Sequence, residues 1–456
     1  LIVTFHHLSD ITYNRTTKLM PSHPLTRKAR STLHAGIIFT AGLLLACLAG
    51  CQPVAVTPVS TSPVVQTPTE TFTSNLSPDT LTPSPTTQTA TLAPSIVPRL
   101  QDEPIVLVGT LIDGTGAEPI EDAVIIIQDG YVTAVGSRQE VEIPSDANII
   151  ELPGATILPG FINAHVHSTY EPVYLEKWVQ AGVTTVRDLG AKYPFYRFYL
   201  RDQFNQDPYL ATLIAAGPLI TVPGGYPIVG SNFPSLGVTI PEHARREVTE
   251  LIADGADVIK IVVDSGDGLP TLSLEEATAI VETAHQYGVP VAAHIGSLRD
   301  LRLVVDAGVD DFSHIVPVKI PEDLLKQIVI KDVYWVPTLE TAGGYDAGNL
   351  RLIIDAGGWV ALGNDSGMLP GIEMGMPMRE IEMMQAAGMT PMEIIVAATR
   401  NAAHVCNRDD TLGTLEAGKI ADILVINGDP LENLQALKDV LLVIHQGVII
   451  RDSTQR

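Results

Sequence analysis

Two hydrophobic periodicities divide this chain. Short β-branched runs lie at 105–108, 123–127 and 132–135, and again at 421–426, 440–444 and 448–450. Asp113-Gly114, Asp129-Gly130, Gly136 and Gln446-Gly447 punctuate these runs as turns between strands. Strand-rich flanks on both sides of a long middle predict a small β-sandwich built from both chain ends, 104–156 and 409–456. The middle, 157–408, alternates strand and helix. Its candidate strands are 157–164, 183–188, 211–216, 257–263, 290–294, 311–315, 333–338 and 359–364. Between them, stretches such as 241–253, 274–287 and 391–405 carry apolar residues at i, i+3 and i+4. Ser273, with Glu276 at the third helical position, reads as an N-cap, and Gly288 ends that helix. Eight strands, each followed by a crossover, predict an α/β chain folded as a (β/α)8 TIM barrel. An open doubly wound sheet would want a Gly-rich phosphate loop after its first strand. His165-Val166-His167 stands there instead.

Residues 1–103 follow neither pattern. Met20 is the first methionine and a candidate start. After it come Arg27, Lys28 and Arg30, then an apolar run from Gly36 to Gly50, then Cys51. A short apolar core behind positive charge reads as a secretory signal, too short for a good membrane span. Leu48-Ala49-Gly50-Cys51 resembles the bacterial lipoprotein box, which implies cleavage before Cys51 and diacylation of its thiol. An uncleaved anchor helix is the alternative, and both readings place the protein outside the cytoplasm and tethered to the membrane. Residues 52–97 are Thr, Pro and Ser with scattered Val and almost no charge, a composition that buries no core and predicts a disordered tether.

Charge and cysteine usage narrow the classes further. The formal net charge is −24, and residues 1–50 contribute +4, which leaves −28 for the rest. Such acidity excludes a phosphate-binding surface of the nucleic-acid type. Cys47, Cys51 and Cys406 are the only cysteines, so the mature chain has no disulfide framework. Cys406, on a predicted helix, reads as a small buried apolar residue.

The candidate chemistry stands at the strand ends, where barrel enzymes carry their working residues. His165 and His167 close the first strand with both imidazoles on one face. Lys260 lies on the fourth strand, His294 on the fifth, His314 on the sixth and Asp365 on the eighth. Four neutral imidazoles and a carboxylate suit a borderline divalent ion such as zinc. An ammonium is a poor ligand, but a lysine carboxylated by CO2 becomes an anionic oxygen donor able to bridge two ions. Gly224-Gly225-Tyr226-Pro227 follows the third strand, where the Tyr226 hydroxyl can reach a tetrahedral oxyanion or simply pack. Arg187 and Asp188 end the second strand, either as a salt bridge or as substrate contacts. His243, His285, His404 and His445 fall on helices or a late strand and read as ordinary polar residues. Met368, Met374, Met376 and Met378, among glycines, read as mobile loops over the mouth or as core.

In this order the residues resemble the amidohydrolase superfamily, in its prolidase- and imidazolonepropionase-like branch, over 104 to about 452. Leu158 to His167 (Leu-Pro-Gly-Phe-Ile-Asn-Ala-His-Val-His) and Gly413 to Asp422 carry the likeness. The resemblance implies two divalent ions, zinc by preference. His165, His167 and Asp365 would hold one ion, His294 and His314 the other, with carboxylated Lys260 and a hydroxide shared between them. It implies hydrolysis of a C–N bond in a dipeptide such as Xaa-Pro, an N-acyl amino acid or a cyclic amide. The bridging hydroxide would attack and Asp365 would act as general base. Asn364 stands where relatives often carry Thr, and the loop after Lys260 lacks the Tyr expected of a close prolidase-like match. Two rivals use the same residues. One is a one-metal deaminase or a phosphotriester or lactone hydrolase, against which Lys260 counts. The other is a non-catalytic, ligand-binding surface lipoprotein, against which the full ligand set counts. The oligomeric state stays open.

Overall fold

The computed structural model describes residues 103–454 apart from 192–197, 230–232, 234, 342–347, 368–369 and 373. The chain divides into Leu1–Thr89 and Ala90–Arg456, and the described residues belong to the second unit. The expected signal region, the lipidation site Cys51, the tether and Met368 lie outside the described residues. Among those described, no helix is long and apolar enough to cross a membrane.

Both chain ends meet in a single sheet. Its N-terminal strands are β1 (Ile105–Leu111), β2 (Ile120–Gln128), β3 (Tyr131–Ser137) and β4 (Asn148–Pro159). The middle of the chain supplies β5 (Phe161–Val166), β6 (Val183–Asp188), β7 (Thr212–Ala215), β8 (Leu219–Thr221) and β9 (Ser235–Gly237). It continues with β10 (Ile259–Val263), β11 (Val291–Ile295), β12 (Asp311–Ser313) and β13 (Tyr334–Val336). The C-terminus adds β14 (Ile423–Asn427), β15 (Val440–His445) and β16 (Val448–Asp452). The terminal sheet runs β16-β15-β14-β4-β1-β2-β3. Where a sandwich of two sheets is expected, β4 pairs with both β1 and β14, so the two ends share one seven-stranded ladder. The period-2 alternation of these strands shows why the sheet is so apolar. Ile423 and Val425 point into its own core with Leu107, Ile125 and Ile157, whereas Leu424 and Ile426 point into the main core with Leu158 and Phe161.

The predicted strand 157–164 is two strands. Residues up to Pro159 belong to the terminal sheet, and Phe161 starts the barrel. Gly160 makes the passage because a Cβ there would collide with the Thr184 side chain.

The central sheets are less regular than eight continuous strands. β5-β6-β7 form a three-stranded sheet, and β13-β12-β11-β10-β8-β9 a six-stranded one, parallel wherever strands pair. The ladder does not close into a cylinder, for two physical reasons. After β7 the chain kinks at Gly217 (φ +75°) and Pro218, so β8, not β7, reaches β10, at Ile261↔Ile220. The predicted eighth strand contributes only single bridges, Val360 to Trp335 and, just beyond it, Ser366 to Val166. Gly363 lets that segment wedge between its neighbours, since a Cβ there would sit 2.6 Å from Val336 and 2.8 Å from His165. The helices follow the sequence more closely. Ser273 and Glu276 form the reciprocal capping box, and Gly288 is left-handed at φ +69°. The predicted 391–405 helix is broken at Thr399 into Pro391–Ala398 and Arg400–Val405.

Candidate metal centre

β5 delivers His165 and His167 to the C-terminal end of the sheet, and the segment after Leu362 lies beside it in register. Ala164 N donates to Leu362 O (2.8 Å), Asp365 N to His165 O (2.8 Å) and His167 N to Ser366 O (2.7 Å). Three ligand atoms then face one another. His165 Nε2 is 3.2 Å from His167 Nε2, and Asp365 Oδ1 lies 3.3 Å and 3.1 Å from these two nitrogens. Tetrahedral zinc with ligands at ~2.0–2.2 Å separates its ligand atoms by roughly 3.3–3.6 Å. The triangle is close to that edge length, and no hydrogen-bond donor among the described residues satisfies Asp365 Oδ1. His167 Nδ1 bonds Gly190 O at 2.7 Å, which turns Nε2 inward as a lone pair. Gly190 is itself tied by its N–H to Asp188 Oδ1 (3.0 Å).

The other half is built on β10, β11 and β12. Lys260 on β10 is 2% exposed, and its Nζ donates to Ser313 Oγ at 3.2 Å. His294 on β11 sets Nε2 3.3 Å from Asp264 Oδ2. His314 directly follows β12, at φ +76°, with Nδ1 2.9 Å from Thr338 Oγ1. Thr338 (φ +48°) and Asp365 (φ +57°) are likewise left-handed, a strained backbone that clusters at functional sites. The His294 and His314 rings are 4.3 Å apart, and His165 stands 5.1 Å from His314. All six predicted ligands, with Tyr226, Pro227, Leu219 and Val262, line one cavity of about 50 Å³.

Electrostatics keeps three of the four imidazoles neutral, the form that binds a metal, and acts the other way on His167. Burial, reinforced by Lys260 and neighbouring imidazoles, holds His165 and His314 well below the usual histidine range. Burial also lowers His294, against the pull of Asp264. For His167 burial is outweighed by Asp365 and the Gly190 carbonyl, and its pKa is raised. Burial brings Lys260 down to about 7 against the attraction of Asp311, so near neutrality much of it is free amine. The half-buried Tyr226, its ring 5.2 Å from that of His294, is raised by burial and by Asp365 and Asp264, which keeps its hydroxyl protonated.

Other residues resolve differently. Arg187 is a structural cation, bidentate to Asp311 (2.8 and 2.9 Å) and bonded to Ala164 O and Val405 O (both 2.7 Å). His243, His285 and His404 pair with Glu247, Asp310 and Asp409, and His445 bonds Pro208 O, all away from the cavity. Cys406 is buried and its thiol is pushed up to about 11. Met374 and Met376 pack on the core that holds Met378. Sequence reasoning misses Asp264, Ser313 and Thr338. All three stand at or just after a strand end and could have been found by that rule.

The sequence pattern of the amidohydrolase family matches residues 156–450. The chain belongs to that family. It is 24% identical over 419 residues to ochratoxinase of Aspergillus niger, a match covering 75% of this chain and 84% of the relative. It is also 24% identical over 371 residues to the imidazolonepropionase of Geobacillus sp. strain WCH70, covering 68% and 84%. A crystal structure of an Xaa-Pro dipeptidase with methionine in its active site aligns with TM-score 0.67 at 25% identity, covering 76% of this chain and 99% of that one. Membership makes this amidohydrolase an enzyme acting on carbon–nitrogen bonds.

Proposed function

We propose that this amidohydrolase is a binuclear, zinc-dependent enzyme that hydrolyses the amide bond of a small substrate. An Xaa-Pro or other dipeptide, an N-acyl amino acid or a cyclic amide would qualify. The observation that carries the reading is the convergence of His165, His167, Asp365, Lys260, His294 and His314 on one cavity. His165, His167 and Asp365 would hold one ion and His294 and His314 the second. Lys260 would join the two as a carbamate, formed when its free amine adds to CO2 with loss of one proton. Two such ions would supply an acidified water and a polarised carbonyl. Asp365 takes the proton of the attacking water and hands it to the leaving nitrogen, which departs as a neutral amine. The protonated Tyr226 hydroxyl donates to the developing oxyanion. The cavity, at about 50 Å³, holds the reacting group, so the rest of the substrate rests on the surrounding loops.

One observation favours the one-metal rival. Among the described residues the one group of three or more potential ligands already within ligand distance of one another is His165, His167 and Asp365. Metal analysis of the full chain separates the two readings, at two ions per chain or one. Lipid anchoring through Cys51 belongs to the same proposal and rests on residues 20–51 alone; the mass of the mature N-terminal peptide tests it. The decisive assay presents the full chain with Xaa-Pro dipeptides, N-acyl amino acids and cyclic amides. Turnover that a chelator removes and zinc restores is expected. Absence of metal-dependent turnover on every amide overturns the reading.

A further inference from the structure

Glu380 is a carboxyl with no exposed surface, at the third position of the helix Met378–Ala386, and among the described residues no cation pairs with it. Burying such a group is costly unless its oxygens are used. Both are used on one loop. Oε1 accepts from Leu339 N (2.8 Å) and Oε2 from Glu340 N (2.7 Å), so the carboxyl grips two successive peptide groups after β13. That loop touches both halves of the metal centre. On one side Thr338, buried and left-handed at φ +48°, holds His314 Nδ1 through its hydroxyl at 2.9 Å. On the other side Glu340 Oε2 accepts from Asn364 Nδ2 at 3.2 Å. Asn364 is fully buried, precedes Asp365, and accepts from Asn163 Nδ2 (2.8 Å) and Ser366 N (3.3 Å). Asn163 Oδ1 in turn accepts from His165 N at 3.3 Å.

We propose that Glu380 is a positioning residue that fixes His314 and Asp365 relative to each other by clamping the peptide groups of Leu339 and Glu340. The inference rests on the metal-centre reading above and goes beyond it, because Glu380 touches neither ligand nor cavity. It assigns a role to the helix after the eighth strand segment: its first turn anchors the loop that orients one imidazole and, through Glu340 and Asn364, the carboxylate opposite. Asn364 then acts as a link in this chain of contacts and not as a neutral departure from the family pattern.

The test strips the full-length protein with a chelator and titrates it with zinc against a chromophoric competitor, recording apo-protein unfolding in parallel. Glu380→Gln keeps the volume but sets an amide N–H2 against a backbone N–H. It is expected to weaken zinc binding by roughly 10–100-fold, the range for residues that orient ligands. Glu380→Asp, which retains the carboxyl group but shortens the reach, should fall between it and wild type, and it carries the test should the glutamine variant not fold. Met384→Ala, a cavity-forming change in the same helix, should lower the unfolding midpoint while leaving zinc affinity at wild type. Wild-type affinity in both Glu380 variants, or an equal loss in Met384→Ala, overturns the inference alone. A wild-type protein that takes up no zinc overturns the metal-centre reading together with it.

Discussion

Arg187 and Lys260 are both cations sealed inside the strand-and-helix body, and their surroundings are opposite. Arg187 spends its guanidinium on two carboxylate oxygens of Asp311 and on two backbone carbonyls. Lys260 has one hydroxyl, Ser313 Oγ at 3.2 Å, and no carboxylate of the described residues within ion-pair distance. Burial acts on both. For Arg187 the attraction of Asp311 outweighs it and the charge is held; for Lys260 burial wins and the pKa falls to about 7. A buried cation that is fully satisfied is a structural element, and one left short of partners is a candidate for chemistry. The same contrast separates the two sides of the candidate site. His165, His167 and Asp365 already face one another, whereas His294 and His314 rest on Asp264 and Thr338.

Four changes would sharpen or break this comparison. The largest effect is expected from Lys260→Met, which should cut kcat/KM by about 10³-fold or more and lower the metal content towards one ion per chain, while the apo protein folds as before. Steady-state kinetics with metal analysis check it, and full activity would place Lys260 beside Arg187 as a structural residue. Arg187→Met should do the reverse. It leaves Asp311 as an uncompensated buried charge and should destabilise the fold by about 3–5 kcal/mol, read from denaturant unfolding. Reconstitution in CO2-depleted buffer is a gentler form of the first change. Zinc uptake at the His294/His314 side should weaken roughly 10-fold or more and recover with bicarbonate, with unfolding of the Arg187–Asp311 region unaltered.

The smallest effect is a slope with pH. Lys260 has a folded pKa of about 7, below its unfolded value of ~10.4, so the folded apo protein binds fewer protons between the two. Its stabilising contribution is present above the unfolded pKa and is lost as pH falls through about 7. Apo stability from this group should therefore rise from pH 7 towards 10 by at most about 1.4 kcal/mol per unit, and Lys260→Met should flatten the rise. Arg187, whose pKa is raised, gives no slope in that window.

Much of the site is legible along the chain because each ligand follows an apolar run that is recognisable locally. His165, His167, Lys260, His294, His314 and Asp365 all satisfy that rule and all reach the same cavity. Ser313 and Thr338 satisfy it too, but a hydroxyl carries no distinctive signal. Asp264, which directly follows β10, and Glu380 are missed because their residue type is unremarkable in place. An acidic residue in a loop, or in the first turn of a helix, is ordinary, and only the partner across space makes it informative. The closed cylinder fails as an expectation because Gly217-Pro218 lies just past a run that looks continuous, and because the bridge segment around Gly363 is apolar enough to read as a strand.

The order of residues by itself determined which side chains are available as ligands and that most of them stand at or just after the ends of parallel strands; Lys260, second in β10, and Asp365, on a segment that forms only single bridges, depart from that rule. Availability and placement follow from local periodicity and from the chemistry of His, Asp and Lys. Only the tertiary structure decided that Asp365 lies in register with His165 and His167, that Arg187 is ion-paired with Asp311 while Lys260 has no carboxylate partner among the described residues, and that Glu380 grips the loop between Thr338 and Asn364. Those outcomes depend on hydrogen bonds between segments tens to hundreds of residues apart, as with Asn163 and Asn364, which are 201 positions apart. No local pattern encodes such a distance.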